Sequence, residues 1–146
     1  MIYLQTRKGK ETMTSTYYIR NAHKTPDGTI IESRHVHDYQ THVDSITGET
    51  YMCDGLGLYI RTSVNKVPML SLCVTTEDDF ELQRQYFKWK TYGQNNEYAP
   101  YGIYVILQDM QTEHIKNILR TQHHIVDTYV EELFLKELSY RNLTKE

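Results

Sequence analysis

A chain of 146 residues falls within the usual range of one folding domain and is long enough to bury a core without staples. Apolar content of 39%, a mean hydropathy of -0.63 and no apolar run near the ~18–20 residues of a membrane span point to a soluble protein without a membrane partner. The formal net charge of -3 argues against nucleic acid as a bulk electrostatic partner.

That charge is uneven. Residues 1–74 carry 8 Lys/Arg against 7 Asp/Glu, and residues 75–146 carry 8 against 12, so any phosphate contact belongs to the first half. Cys53 and Cys73 lie apart in sequence and force no disulfide. A reduced, cytoplasmic setting is the simpler reading, and the N-terminus lacks the apolar core of a signal peptide. Thirteen tyrosines are the main oddity of composition. Tyrosine suits both strands and binding surfaces, where it offers a flat amphipathic face at low rotamer cost.

Taken in order, Met1 to Thr12 holds the basic cluster Arg7-Lys8-Gly9-Lys10 and reads as a solvated tail. Residues 1–146 are expected to form one domain, with 1–13 as a flexible extension and Met13 as a second candidate start. Thr14 to Arg20 is a first strand. Pro26-Asp27-Gly28 is a turn into a second strand, Thr29 to Ser33, β-branched at its start.

Arg34 to Asp44 keeps an extended rhythm. Asp44 to Glu49 then supplies turn chemistry, with Gly48 free to take positive φ, and Glu49 to Asp54 returns. A loop of Ser45 to Gly48 sets Asp44 opposite Glu49, Val43 opposite Thr50, Thr41 opposite Met52 and Tyr39 opposite Asp54. Side chains alternate along strands. One face then carries His35, His37, Tyr39, Thr41, Val43, Thr50, Met52 and Asp54. The other carries Val36, Asp38, Gln40, His42, Tyr51 and Cys53. His37 becomes a diagonal neighbour of Asp54 at roughly 7–8 Å. A histidine beside a carboxylate is the minimal oriented base, so His35, His37 and Asp54 are the catalytic candidates. Histidines two apart on a strand can also share a metal, with His42 or Asp54 as a third ligand. Against that, no CxxC accompanies them, so no metal and no cofactor is expected.

Gly55-Leu56-Gly57 marks a bend, and Leu58 to Ser63 fits strand or helix. After a break at Asn65 to Pro68, Met69 to Val74 is an apolar run of strand length. Thr75 to Asp79 reads as a capped, acidic helix start. Thr76 to Tyr92 is then a helix whose broad apolar face carries Phe80, Phe87, Leu82, Tyr86 and a core Trp89, stopped at Gly93. Gln94 to Gly102 is a polar loop. Ile103 to Leu107 is a strand apolar enough for burial on both faces. Thr112 to Gln122 is a helix, with His123-His124 at its end. Ile125 to Tyr140 is the last helix, with a capping-box pattern at Thr128 and Glu131. The expected fold is α+β: a small antiparallel sheet, mainly from residues 14–74 plus Ile103 to Leu107, packed against three C-terminal helices. No P-loop, GxSxG, HExxH or dinucleotide fingerprint occurs.

The stretch Ile31-Glu32-Ser33-Arg34-His35-Val36-His37-Asp38-Tyr39, followed by Asp54-Gly55 and Tyr59-x-Arg61, resembles small uncharacterised proteins of large tailed bacteriophages. Their pattern runs roughly I-E-S-x-H-x-H-D-[FY], then D-G-G-x-x-Y-x-R-R, with cysteine pairs that suggest a zinc ribbon. This sequence has Leu56 for the second glycine, Thr62 for the last arginine and none of the cysteine pairs. Arg84 to Gly93, Asp109-Met110 with His114-Ile115, and Glu137-Leu138-x-Tyr140-Arg141 are similar to longer phage proteins. The resemblance implies a viral accessory role in the infected cell and brings no activity.

The first expectation is therefore a phage accessory binding protein that acts on a host protein or sequesters a small signalling ligand, as in counter-defence. Its surface would comprise Arg34, His35, His37, Tyr39, His42, Tyr59 and Arg61, the arginines offering forked donors to phosphate or carboxylate. The alternatives are a small phosphodiesterase or nuclease using His37 and Asp54, and a virion or assembly component.

Overall fold

β-Branched and aromatic residues crowd the first half of the chain, and there every described element is a strand. The computed structural model describes residues 3–7, 10–91, 102–122 and 124–143. They divide into two compact units, Met1–Asp78 and Asp79–Glu146. Antiparallel sheets and three α-helices make the fold α+β, with the helices all in the second unit among the described residues. No helix among these residues is long and apolar enough to cross a membrane.

In the first unit, β1 (Tyr3–Arg7) pairs antiparallel with β2 (Lys10–Thr14), Arg7 opposite Lys10, where a tail is expected from the sequence. β3 (Tyr18–Lys24) starts four residues later than expected and runs through Asn21 and His23, both buried. Polar side chains at these positions hide the strand from a hydrophobicity reading. β3 pairs with β4 (Ile30–Ser33) on one edge, and with the short β8 (Leu70–Ser71) and β9 (Val74–Thr75) on the other.

β5 (Gln40–Val43), β6 (Thr50–Leu56) and β7 (Tyr59–Thr62) form a second sheet in that order. Its register agrees with the expectation: Val43 opposite Thr50 and Thr41 opposite Met52. Asp44 N–H donates to the Glu49 carbonyl at 2.9 Å, and Gly48, at φ 75°, closes the loop onto the Asp44 carbonyl at 2.8 Å. Pairing stops at Gln40 opposite Cys53, however. Residues 34–38 form a turn closed by Asp38 N–H on the His35 carbonyl at 3.1 Å, so the strand does not extend back to Arg34. The inward face of this sheet supplies Tyr51 and Cys53, which pack with Ile31 and Met69.

Gly55, at φ 94°, joins the sheets. A Cβ there would stand 2.4 Å from the Tyr59 carbonyl oxygen, so the β6–β7 pair closes only around glycine. The Asn21 amide donates to the Asp54 and Gly55 carbonyls at 3.1 and 2.9 Å, and Tyr18 exchanges backbone hydrogen bonds with Gly57.

In the second unit the expected long helix is two elements. α1 spans only Phe80–Tyr86, and β10 (Lys88–Thr91) follows. Phe87 takes an extended ψ of 129° and ends the helix. Phe87 and Trp89 lie two apart, and both meet the Phe134 ring edge-on, at 6.0 and 5.4 Å. Apolar residues at 80, 87 and 89 fit a helical stripe and a strand face alike, and packing on Phe134 selects the strand. Thr75 does not cap α1. It shapes the preceding turn, its N–H on Asp78 Oδ2 at 2.8 Å. Gly93 and Tyr92 lie outside the described residues.

β11 (Ile103–Ile106) pairs with β10, not with the N-terminal strands, and Ile103 is exposed, so it is not buried on both faces. α2 occupies Thr112–Gln122 as expected. α3 runs Thr128–Leu143, starting three residues later than expected. Asp127 accepts its first backbone bonds, so Thr128 opens the helix instead of capping it.

Glu137 of α3 is fully buried and holds this unit together. Arg84 of α1 grips it with two bonds of 2.8 and 2.7 Å, and Arg141 adds a third at 2.7 Å. Arg141 continues to Thr112 Oγ1 and the Leu107 carbonyl, and Arg84 lies over the Tyr140 ring at 4.1 Å. Removing one partner of a buried pair strands the others without compensation. Glu137→Ala should lower the unfolding free energy by about 3 kcal/mol, the low end for such a break because both arginines keep some solvent contact. Urea denaturation of the purified chain checks this.

Candidate functional site

The turn after β4 gathers the expected histidines. Arg34 N–H donates to Asp38 Oδ2 at 2.8 Å, and the Arg34 guanidinium lies 3.7 Å from the same oxygen. His37 N–H points at His35 Nδ1 at 3.3 Å. Ser33 Oγ donates to the His35 carbonyl. Burial pushes the Asp38 carboxyl up, but the Arg34 N–H, Gln40 and the nearby His35 and Arg34 charges outweigh it and hold it below the usual carboxylate range. Arg34, His35 and His37 all stand exposed.

Asp54 belongs to a different pairing. It sits opposite Arg61 on β7, and the guanidinium donates to Asp54 Oδ2 at 2.8 Å. Asp54 is the first cause that raises the Arg61 pKa, followed by burial in opposition and by the Tyr59 and Tyr39 hydroxyls nearby. The expected His37–Asp54 diagonal needs the β5–β6 ladder to reach Tyr39. The turn at 34–38 prevents that, and no hydrogen bond or ion pair joins the two side chains. His35, His37 and Asp54 are therefore not assembled as an acid–base group.

What does assemble is a surface. Paired residues share a face, so Thr41, Val43, Met52, Asp54, Leu56, Tyr59 and Arg61 lie on one side of the β5–β6–β7 sheet. Val43 at 64% and Tyr59 at 67% are open to solvent here, and Tyr39 at 57%, just before β5, lies near enough to act on Arg61.

His42 faces the other way and forms a cluster that sequence reading missed. Its Nε2 lies 2.9 Å from Asp27 Oδ2. The same oxygen accepts Ser45 N–H at 2.9 Å, and Oδ1 accepts Thr25 Oγ1 and Thr29 N–H. Asp27 N–H donates to Asp44 Oδ1 at 2.7 Å, and Asp44 Oδ2 takes Ile46 and Thr47 N–H. Both aspartates appear in sequence only as ordinary turn residues. Nothing local reveals that the two turns meet.

A third group joins Asn21, His23 and Cys73. His23 Nε2 lies 2.8 Å from Asn21 Oδ1 and 3.6 Å from Cys73 Sγ. The Asn21 amide nitrogen faces two carbonyls, so Oδ1 must accept and His23 carries its proton on Nε2. Cys73 thus meets an N–H and not a basic lone pair, and burial holds the His23 pKa below its ordinary value. This is not an activated thiol. Cys53 is inert as well, its thiol pushed up to about 12 by burial first of all.

No family model, curated protein or solved structure matches this chain.

The aspartate cluster has a signed consequence. His42 is the first cause holding the Asp27 carboxyl far below the usual range, ahead of Ser45, Thr25 and Thr29. For Asp44, burial pushes up, and the Thr47 and Asp27 N–H groups prevail and bring it down. A depressed folded pKa contributes stability above the unfolded value of about 3.9 and loses it as the pH falls through the lower folded value. Urea midpoints should hold through neutral pH and drop below about pH 4. Asp27→Asn should lower the neutral plateau and flatten that acid limb.

Proposed function

We propose that this chain is an accessory binding protein of the kind large tailed bacteriophages make, and that it acts on a host protein inside the infected cell. The contact surface is the outer face of the β5–β6–β7 sheet with the adjoining 34–38 turn. The observation that carries this reading is the exposure of Val43 and Tyr59 on the face that holds the Asp54–Arg61 pair, with the exposed Tyr39 near enough to act on Arg61.

The charges on this face favour a protein over a small anion. Arg61 is matched by Asp54, and Arg34 by Asp38. A phosphate would have to displace a carboxylate to gain either fork. A protein surface need not, because protein interfaces rest on central aromatic anchors, with charged pairs left at the rim. The hydrolase alternative loses its motivation, since His37 and Asp54 do not pair.

Tyr39→Ala with Tyr59→Ala should weaken capture of the host partner at least tenfold, roughly 1.4 kcal/mol. Stability should move by no more than about 0.5 kcal/mol for each exposed change. The partner would be recovered from host lysate with the wild-type chain, and both affinities measured by calorimetry. Equal affinities would show that the surface was wrongly chosen.

A further inference from the structure

The Asp27–His42–Asp44 cluster asks for more than turn geometry. Two carboxylates face one imidazole, and one donor atom from each residue lies within 4.8 Å of the others. Asp44 is 1% exposed. Among the described residues no lysine or arginine lies within ion-pair distance of either aspartate, and the only charged-group partner is His42. Two negative charges thus share a little-exposed site whose single ionisable counter-group is an imidazole.

Lone-pair bookkeeping shows where a cation fits. Each carboxylate oxygen offers two acceptor directions. Asp27 Oδ1 is filled by Thr25 and Thr29. Asp44 Oδ2 is filled by Ile46 and Thr47. Among the described residues Asp44 Oδ1 accepts only Asp27 N–H, which leaves one direction open. Asp27 Oδ2 gives one direction to Ser45 and the other to His42. If the His42 proton sits on Nδ1, Nε2 presents a lone pair toward that second direction. His42 Nε2, Asp27 Oδ2 and Asp44 Oδ1 are then the atoms with a lone pair to offer, and one donor atom from each of the three residues lies within 4.8 Å of the others. The N–H bonds that remain fix both carboxylates from behind, as outer-shell partners do around metal ligands.

We propose that Asp27, His42 and Asp44 form a site for one divalent transition-metal ion of the zinc class. Imidazole with two carboxylates is a mixed nitrogen–oxygen donor set, which suits zinc or manganese better than magnesium. Bonds of about 2.0–2.2 Å set neighbouring ligands roughly 3–4 Å apart, so donors within 4.8 Å of one another need only a small inward shift. With His42 28% exposed at its side chain, the ion has a way in from solvent. The missing cysteine pairs argue against a closed thiolate zinc site, and they do not bear on an open three-ligand site. This inference is independent of the binding face, which lies on the opposite side of β5.

The test uses the full chain, stripped of metal with a chelator, and zinc chloride as the probe in calorimetry and thermal melts. One zinc per chain should bind saturably and raise the melting temperature, with magnesium far weaker. His42→Gln keeps a side-chain donor for Asp27 but removes the imidazole. It should stay folded by circular dichroism, lose at least tenfold in zinc affinity and show no zinc-dependent shift in melting. His35→Ala with His37→Ala should leave zinc binding unchanged. No saturable uptake by the wild type, or undiminished uptake by His42→Gln, would overturn the site. So would loss of binding in the His35/His37 variant.

Discussion

Asp44 is the constraint on which the first unit turns. One carboxylate, nearly out of solvent, closes the β5–β6 loop with Oδ2 and receives Asp27 from a distant turn with Oδ1. Asp27 answers by bonding Ser45 in the first loop while holding its own turn through Thr25 and Thr29. Two turns seventeen residues apart become one rigid piece. Hydrogen bonds from backbone N–H to a charged acceptor are roughly twice as strong as neutral ones, and several converge here. The register of β5 on β6 follows, and the register decides which side chains face outward.

Much of this was legible because it is local. Gly48 and the polar run from Asp44 announced a four-residue loop, and the loop length fixed the pairing of Val43 with Thr50. The boundaries of α2 followed from Thr112 onward for the same reason. What failed was long-range. The segment from Arg34 to Tyr39 has the composition of a strand, yet Asp38 turns it by accepting Arg34 N–H. Lys88 to Thr91 fits two periodicities, and the choice comes from farther along the chain, from pairing with β11 and packing on Phe134. Asn21 and His23 look like loop residues until their partners arrive from β6 and from each other.

The candidate site divides along the same line. Thr41, Val43, Met52 and Asp54 were correctly placed on one face because a two-residue period needs only the register, whereas Leu58 to Ser63 fits strand or helix alike in sequence, and only the structure sets Tyr59 and Arg61 beside them. The aspartates that surround His42 were invisible as a site, since each is fully explained within its own turn. Sequence motifs detect groups spaced along a chain. Here the cluster is drawn together by two turns whose meeting is itself a product of the cluster.

The two faces of β5 therefore carry different physics. Outward, Val43 and the flanking Tyr39 expose flat apolar area beside arginines already neutralised by aspartates. Such a surface has little net field to steer an anion and gains mainly by excluding water against another apolar surface. Inward, beside the Tyr51–Cys53 core, His42 meets two carboxylates that no arginine or lysine balances among the described residues. Alternation along four residues of one strand is enough to separate them. A substitution at Tyr39 or Val43 acts on contact area, whereas one at His42 acts on charge. Asp54 and Asp38 make no hydrogen bond or ion pair to Asp27 or Asp44, so a change at His42 that leaves the Asp44 loop intact should leave the outer face in register, whereas a change at Asp44 itself should disturb both faces.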